Sequence, residues 1–166
     1  MLSSILKKSD CASCKFCCSF RRQSLWETPV FTKDSVEQLK SIFPDVKFRS
    51  VGNSSMTVEL SDCYTTDNPE EEAPCPFLDT SKGCVLPLEL KPFDCSIWPF
   101  RAVYIKQKEI AVALTPTCPA INKVAREKIR LLLESGLGKK IIDYAKEHPD
   151  IIKESTDFLS DIVYSR

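Results

Sequence analysis

Apolar positions along this chain recur in two rhythms, and each predicts its own kind of element. Val36, Leu39 and Phe43 fall at helical spacing, so a short helix is expected that begins at Thr32 or Asp34 and stops at Pro44. Asp34 followed by Glu37 has the form of a capping box. Met56, Val58 and Leu60 alternate with polar neighbours, which predicts a half-buried strand from Ser55 to Leu60. It would pair with Lys47 to Val51 across Gly52-Asn53-Ser54. A second hairpin is expected from Arg101 to Lys106 and Ile110 to Thr115, with Val103, Ile105, Ala111 and Ala113 supplying the alternation.

Between these elements the pattern breaks. Ser19 to Phe31, with Trp26 and Pro29, reads as an extended connection that touches the core. From Asp62 to Pro99, Pro69, Pro74, Pro76, Pro87, Pro92 and Pro99 exclude any long regular element, because each removes a backbone donor and fixes φ. Beyond Cys118 the rhythm turns helical. Ile121, Val124, Ala125, Ile129, Leu132 and Leu133 predict one helix ending before Gly136 and Gly138. Ile141, Ile142 and Ala145 predict a second, closed by Pro149. Ile151, Ile152, Phe158, Leu159, Ile162 and Val163 predict a third, and core packing accounts for all three stripes.

Composition changes this picture little. The chain has 166 residues, 43% of them hydrophobic and 28% charged, as in ordinary folded domains. Lysine and arginine balance aspartate and glutamate at 23 each, so no broad basic footprint for nucleic acid is expected. The local runs, basic at Lys7-Lys8 and Arg21-Arg22 and acidic at Asp67 and Glu70-Glu71-Glu72, read as solvated surface. No apolar run is long enough for a membrane span or a secretory signal, and a cytoplasmic, reducing setting is expected.

Cysteine changes the picture most. The chain has nine, and four of them fall in Cys11-Ala12-Ser13-Cys14-Lys15-Phe16-Cys17-Cys18. Two successive C-x₂-C spacings bring three sulfurs into one small volume, the arrangement of a thiolate-bound metal. An odd count in a reducing compartment favours ligands over bridges. The only histidine, His148, precedes Pro149 at a predicted helix end, so any site is all or nearly all cysteine. Soft thiolates suit zinc or iron–sulfur clusters. Adjacent side chains diverge in both helix and strand, so Cys17 and Cys18 are expected to face different centres.

Four glycines form neither a dinucleotide fingerprint nor a phosphate loop, and a single tail histidine leaves no catalytic Cys-His or Ser-His pair. The C-x₃-C-x₂-C spacing of radical S-adenosylmethionine enzymes fails at Arg21.

Cys11-x₂-Cys14-x₂-Cys17-Cys18, then Cys75-Pro76-Phe77-Leu78, Gly83-Cys84-Val85, Lys91-Pro92-x₂-Cys95 and Cys118-Pro119, resembles the CxxCxxCC family of zinc- or iron-chelating domain proteins. The resemblance spans about two thirds of the chain and departs from the family's habit at Lys15, usually glycine, and at Lys91, usually arginine. Cys63 lies outside the pattern. The resemblance implies metal binding by Cys11, Cys14, Cys17, Cys18, Cys75, Cys84, Cys95 and Cys118. Flagellin lysine methylases carry a similar cysteine region associated with an iron–sulfur cluster, which favours a [4Fe–4S] type over zinc.

The chain is thus expected to be an α+β protein. Residues 1–118 would be a cysteine-rich, mostly irregular metal-binding domain with short strands, and 119–166 a C-terminal helical extension packed on it. One function is electron transfer or cluster-dependent redox or group-transfer chemistry, with Lys15, Arg21, Arg22, Lys91 or Arg101 offsetting the cluster's charge. Trp26, Trp98, Phe77, Phe93 and Phe100 are candidates for an apolar shell around it. The alternative is a zinc-stapled structural or adaptor module that meets a protein partner. A spare thiol such as Cys63 or Cys18 acting as nucleophile or redox switch needs access and a lowered pKa, which sequence does not display.

Overall fold

The computed structural model describes residues 2–6, 14, 16–22, 27–105, 108–115, 117–154 and 161–165. Cys11, Lys15, Trp26, Phe158 and Leu159 lie outside the described residues. Helices and short antiparallel strands coexist in small separate sheets, an α+β fold. The chain forms two compact units, one of Lys15–Ser96 and one of Met1–Cys14 with Ile97–Arg166. The division falls between Ser96 and Ile97, whereas the texture of the sequence changes at Cys118. The hairpin that follows Ser96 packs with the C-terminal helices, so it belongs with them.

In the Lys15–Ser96 unit, a turn of 3₁₀ helix at Phe16–Cys18 leads into β1 (Ser19–Arg21). Next come β2 (Phe31–Thr32), α1 (Lys33–Ile42), β3 (Phe48–Val51) and β4 (Ser55–Val58). Of the two cap candidates Thr32 is the cap: its hydroxyl accepts the Ser35 N–H at 3.2 Å. Val36 and Leu39 are buried, as the spacing predicts. β3 and β4 form the expected hairpin, with Gly52 at φ 57 in its turn, and β2 adds on the other side of β4. Thr57 is fully buried as well, its hydroxyl donating to Pro29 O at 2.6 Å, so β4 is covered on both faces at Thr57 and Val58.

The proline-rich stretch holds only short pieces: β5 (Glu72–Pro74), β6 (Leu78–Asp79), β7 (Gly83–Cys84) and α2 (Phe93–Ile97). β5 pairs antiparallel with β1, and β6 with β7. Phe77 is the centre of the core. It is fully buried, with ring centroids 5.9 Å from Phe31, 5.2 Å from Phe43 and 6.2 Å from Phe48. Phe20, Val36, Leu39, Val58, Leu60 and Ala73 complete the packing, and Cys75 belongs to the same cluster.

The other unit is built on β8 (Phe100–Tyr104) and β9 (Ile110–Leu114), the second expected hairpin, with α3 (Arg126–Leu132) and α4 (Gly138–Glu147). Gly136, at φ 121, breaks the helical path between α3 and α4; Gly138 lies inside α4. The expected third helix does not form at its far end. Ile162–Tyr164 is instead a strand, β10, paired antiparallel with β9. A free sheet edge offers unpaired backbone groups, and β-branched Ile162 and Val163 suit pairing there better than a lone helical turn. No described helix is long and apolar enough to cross a membrane.

Candidate functional site

The site grows from the β1–β5 ladder. Ser19 lies opposite Pro74, Phe20 opposite Ala73 and Arg21 opposite Glu72. One step further along the same register stands Cys18 against Cys75, and the Cys75 N–H donates to the Cys18 carbonyl at 2.7 Å. Directly opposed residues of an antiparallel pair share a face. Pro74 has no N–H to give the ladder, and Cys75 resumes it.

Cys17, in the 3₁₀ turn just before, is hydrogen-bonded through its thiol to Cys18. Consecutive side chains in a 3₁₀ turn stand roughly 120° apart, yet these two thiols interact, against the expected divergence. Cys84 arrives on β7. Leu78 N–H closes a turn onto Cys75 O at 2.9 Å, Val85 N–H donates to Phe77 O at 2.9 Å, and this short hairpin holds Cys84 within the electrostatic field of Cys75. Cys17 acts on Cys75 in the same way.

The electrostatics of these thiols follow from crowding and burial. Burial pushes the Cys75 thiol up to about 12, and Cys84 and Cys17 add to the rise, while the Phe77 N–H bonded to its sulfur opposes it. The hydrogen bond to Cys18, then burial, raises Cys17 far above the ordinary thiol range, and Lys91 pulls in the other direction. A bound cation would invert this, since a coordinating thiol is deprotonated outright.

Five of the eight predicted ligands, Cys17, Cys18, Cys75, Cys84 and Cys95, thus lie in the Lys15–Ser96 unit. Cys95 is half-buried on α2, with its N–H on the Asp94 carboxylate at 3.1 Å. Cys14, exposed, and Cys118, buried, belong to the other unit, and Cys11 is outside the described residues. Cys63 is exposed in a 3₁₀ turn at Ser61–Cys63. Among the described residues, no three His, Cys, Asp or Glu side chains are grouped tightly enough to cage an ion. In kind, four soft sulfurs suit a thiophilic centre. In position, they converge pairwise around Cys75 and stop short of a closed shell.

Of the described cations expected to offset a cluster, Lys91 acts electrostatically on the Cys17 thiol. Arg21 is held by Glu27 and Glu70, and Arg22 by Glu71 with its guanidinium 4.6 Å above the Tyr64 ring. Arg101, in the other unit, stacks on Trp98 at 4.6 Å. Arg21 and Arg22, expected as solvated surface, are partly exposed and paired with Glu70 and Glu71 beside the β1–β5 ladder. Their distance in sequence concealed this.

Two carboxylates of this unit brace its loops in ways the sequence reading did not assign. Asp94, almost fully buried, accepts the Val30 N–H at 3.1 Å and so ties the approach to β2 to the segment of α2. Glu71 accepts four hydrogen bonds at 2.7–2.8 Å, from the N–H and hydroxyl groups of both Thr65 and Thr66. The TTD run at 65–67 is a turn-forming composition, and a carboxylate shortly after it was the available signal.

Compared with family models, with curated proteins and with solved structures, the chain matches none.

Proposed function

We propose that the Lys15–Ser96 unit binds a soft metal centre through Cys17, Cys18, Cys75 and Cys84, and that this centre is an iron–sulfur cluster serving electron transfer or cluster-dependent redox or group-transfer chemistry. The reading rests on Cys17 and Cys84 lying within the electrostatic field of Cys75, with Cys18 joined to Cys75 through the backbone and to Cys17 through its thiol. The resemblance to the CxxCxxCC family supports it from the sequence side. When bound, such a cluster supplies a one-electron couple; the chain supplies thiolates, the Phe77 N–H at the Cys75 sulfur, and Lys91, each of which bears on potential. Its aromatic core around Phe77 limits water near Cys75. The setting is cytoplasmic, where thiols stay reduced, and the partner is a redox protein.

A zinc staple is the second reading. Cys75 sits in the hydrophobic cluster itself, where a closed structural ion would tie the β1–β5 and β6–β7 pairs together. Iron, zinc and acid-labile sulfide per chain, measured on protein purified without oxygen, decide between them. About four irons with four sulfides establish one cubane. Zinc without sulfide moves the conclusion to the staple. Neither metal, after reconstitution with each, refutes both.

A further inference from the structure

The neighbouring thiols Cys17 and Cys18 suit a ligand that is neither an iron–sulfur cluster nor zinc. The Cys17 thiol is hydrogen-bonded to that of Cys18, so the two sulfurs lie within reach of one bridging atom. Both side chains are half-buried rather than sealed in the core, so a small reagent meets them. The turn that carries them is anchored at its end: the Cys18 carbonyl accepts the Cys75 N–H at 2.7 Å, and β1 begins at the next residue. Two sulfurs held on a fixed backbone lose little freedom when they are bridged.

A direct bond between these sulfurs is disfavoured. Consecutive Cα atoms lie about 3.8 Å apart, short of the usual disulfide range of about 4.4–6.8 Å. The pair is therefore poorly suited to oxidation against itself, and one inserted atom removes the restriction. Cys75, by contrast, is packed into the hydrophobic cluster and screened from a bulky reagent.

We propose that Cys17 and Cys18 form a chelating site for trivalent arsenicals, whose soft centre carries two exchangeable oxygen ligands. Soft donors match a soft acceptor. A reagent with a single exchangeable valence gains nothing from the second sulfur, so the hydrogen-bonded pair selects for two. Phenylarsonous acid, the hydrated form of phenylarsine oxide, is the simplest probe. The Cys17 sulfur displaces one hydroxyl group from arsenic, which leaves as water with the Cys17 proton. The Cys18 sulfur displaces the other in the same way. Two As–O and two S–H bonds break, while two As–S bonds and two water O–H bonds form. Arsenic stays trivalent, so no electron is transferred and no oxidant is needed. This ligand class lies beyond the metal reading and competes with it for two sulfurs.

The test uses the full-length chain, reduced with a phosphine and freed of metal by a chelator. Phenylarsine oxide is added in native buffer, the remaining thiols are alkylated, and peptide mass spectrometry shows which cysteines the arsenical protects. The first equivalent is expected to protect Cys17 and Cys18 together, and a small dithiol should release them where excess glutathione does not. Loss of one of two linked attachments costs about 10²–10⁴-fold in affinity. Cys17→Ser and Cys18→Ser should each weaken capture by that factor, and Cys14→Ser and Cys63→Ser should leave it unchanged. Protection of any other pair first, Cys14 with Cys17 or Cys75 with Cys84 among them, overturns the proposal. So does capture that survives Cys18→Ser at full strength, or no capture at all. The map of the natural chain requires no variant to fold and is made without metal. Absence of iron and zinc therefore refutes the metal reading and leaves the arsenical result standing.

Discussion

The backbone N–H of Cys75 donates to the carbonyl of Cys18 at 2.7 Å, although the two residues lie in separate cysteine blocks of the sequence. That one bond places the end of the opening cysteine run beside the Cys75-Pro76 block of the proline-rich region. Its neighbours depend on it: Cys17 through its bond to Cys18, and Cys84 through the hairpin that begins at Cys75.

Serine in place of Cys17 or Cys84 is expected to strip metal from the chain, and serine in place of Cys63 is not. Outer-shell changes alone cost about 10–100-fold in metal affinity, and loss of a ligand costs at least as much. Cys63 lies exposed on its own turn. Metal per chain, measured for the three variants side by side, checks the ranking. Equal loss at Cys63 would refute it.

Acid is expected to loosen the loop that follows Tyr64 before it reaches the core. Its four hydrogen bonds from Thr65 and Thr66 hold the Glu71 carboxyl at about 2, below its ordinary 4.5. A depressed carboxylate stabilises the fold above the ordinary value, and that stabilisation disappears as pH falls from about 4.5 to about 2. In that window the unfolded chain binds the proton first. Urea midpoints taken across it should fall for the natural chain and flatten for Glu71→Gln. Parallel slopes in the two chains would remove Glu71 as the cause.

Phe77→Ala should destabilise the Lys15–Ser96 unit by about 3–5 kcal/mol, the cost of truncating a fully buried phenylalanine. Phe77 packs against Phe31, Phe43 and Phe48 and donates its N–H to the Cys75 sulfur. Phe77→Leu keeps the N–H and most of the volume, so it should cost less. Chemical denaturation ranks the two, and similar losses would deny Phe77 its central place.

Gly138→Ala should weaken β10. A Cβ at Gly138 would meet the Tyr164 ring at 2.6–2.7 Å, closer than real Cβ contacts come. Alanine gains about 1 kcal/mol in helix propensity over glycine, yet overpacking a tight contact costs about 1–3 kcal/mol. Faster proteolytic clipping near the C-terminus is therefore expected for Gly138→Ala. Adding Tyr164→Ala should leave Gly138→Ala with its helix gain alone, visible as a positive coupling in thermal unfolding.

The sequence by itself determined the elements whose information is local. The cap and stripe of α1, the β3–β4 and β8–β9 hairpins and the stripe of α4 all lie within one short window, where periodicity and turn residues act directly, whereas the helix expected from Ile121 starts only at Arg126, after a separate 3₁₀ turn at Ile121–Lys123. It also determined the chemical kind of the candidate site, because sulfur in C-x₂-C spacing is visible without a fold. Only tertiary structure decided which sulfurs meet. Cys17 and Cys18 come beside Cys75 because β1 and β5 pair over a long separation, Cys84 follows through its own short hairpin, and no local pattern records a partner strand. The same physics turned Ile162–Tyr164 from a predicted helix into β10: its apolar spacing fits either state, and the open edge of β9 chose the strand.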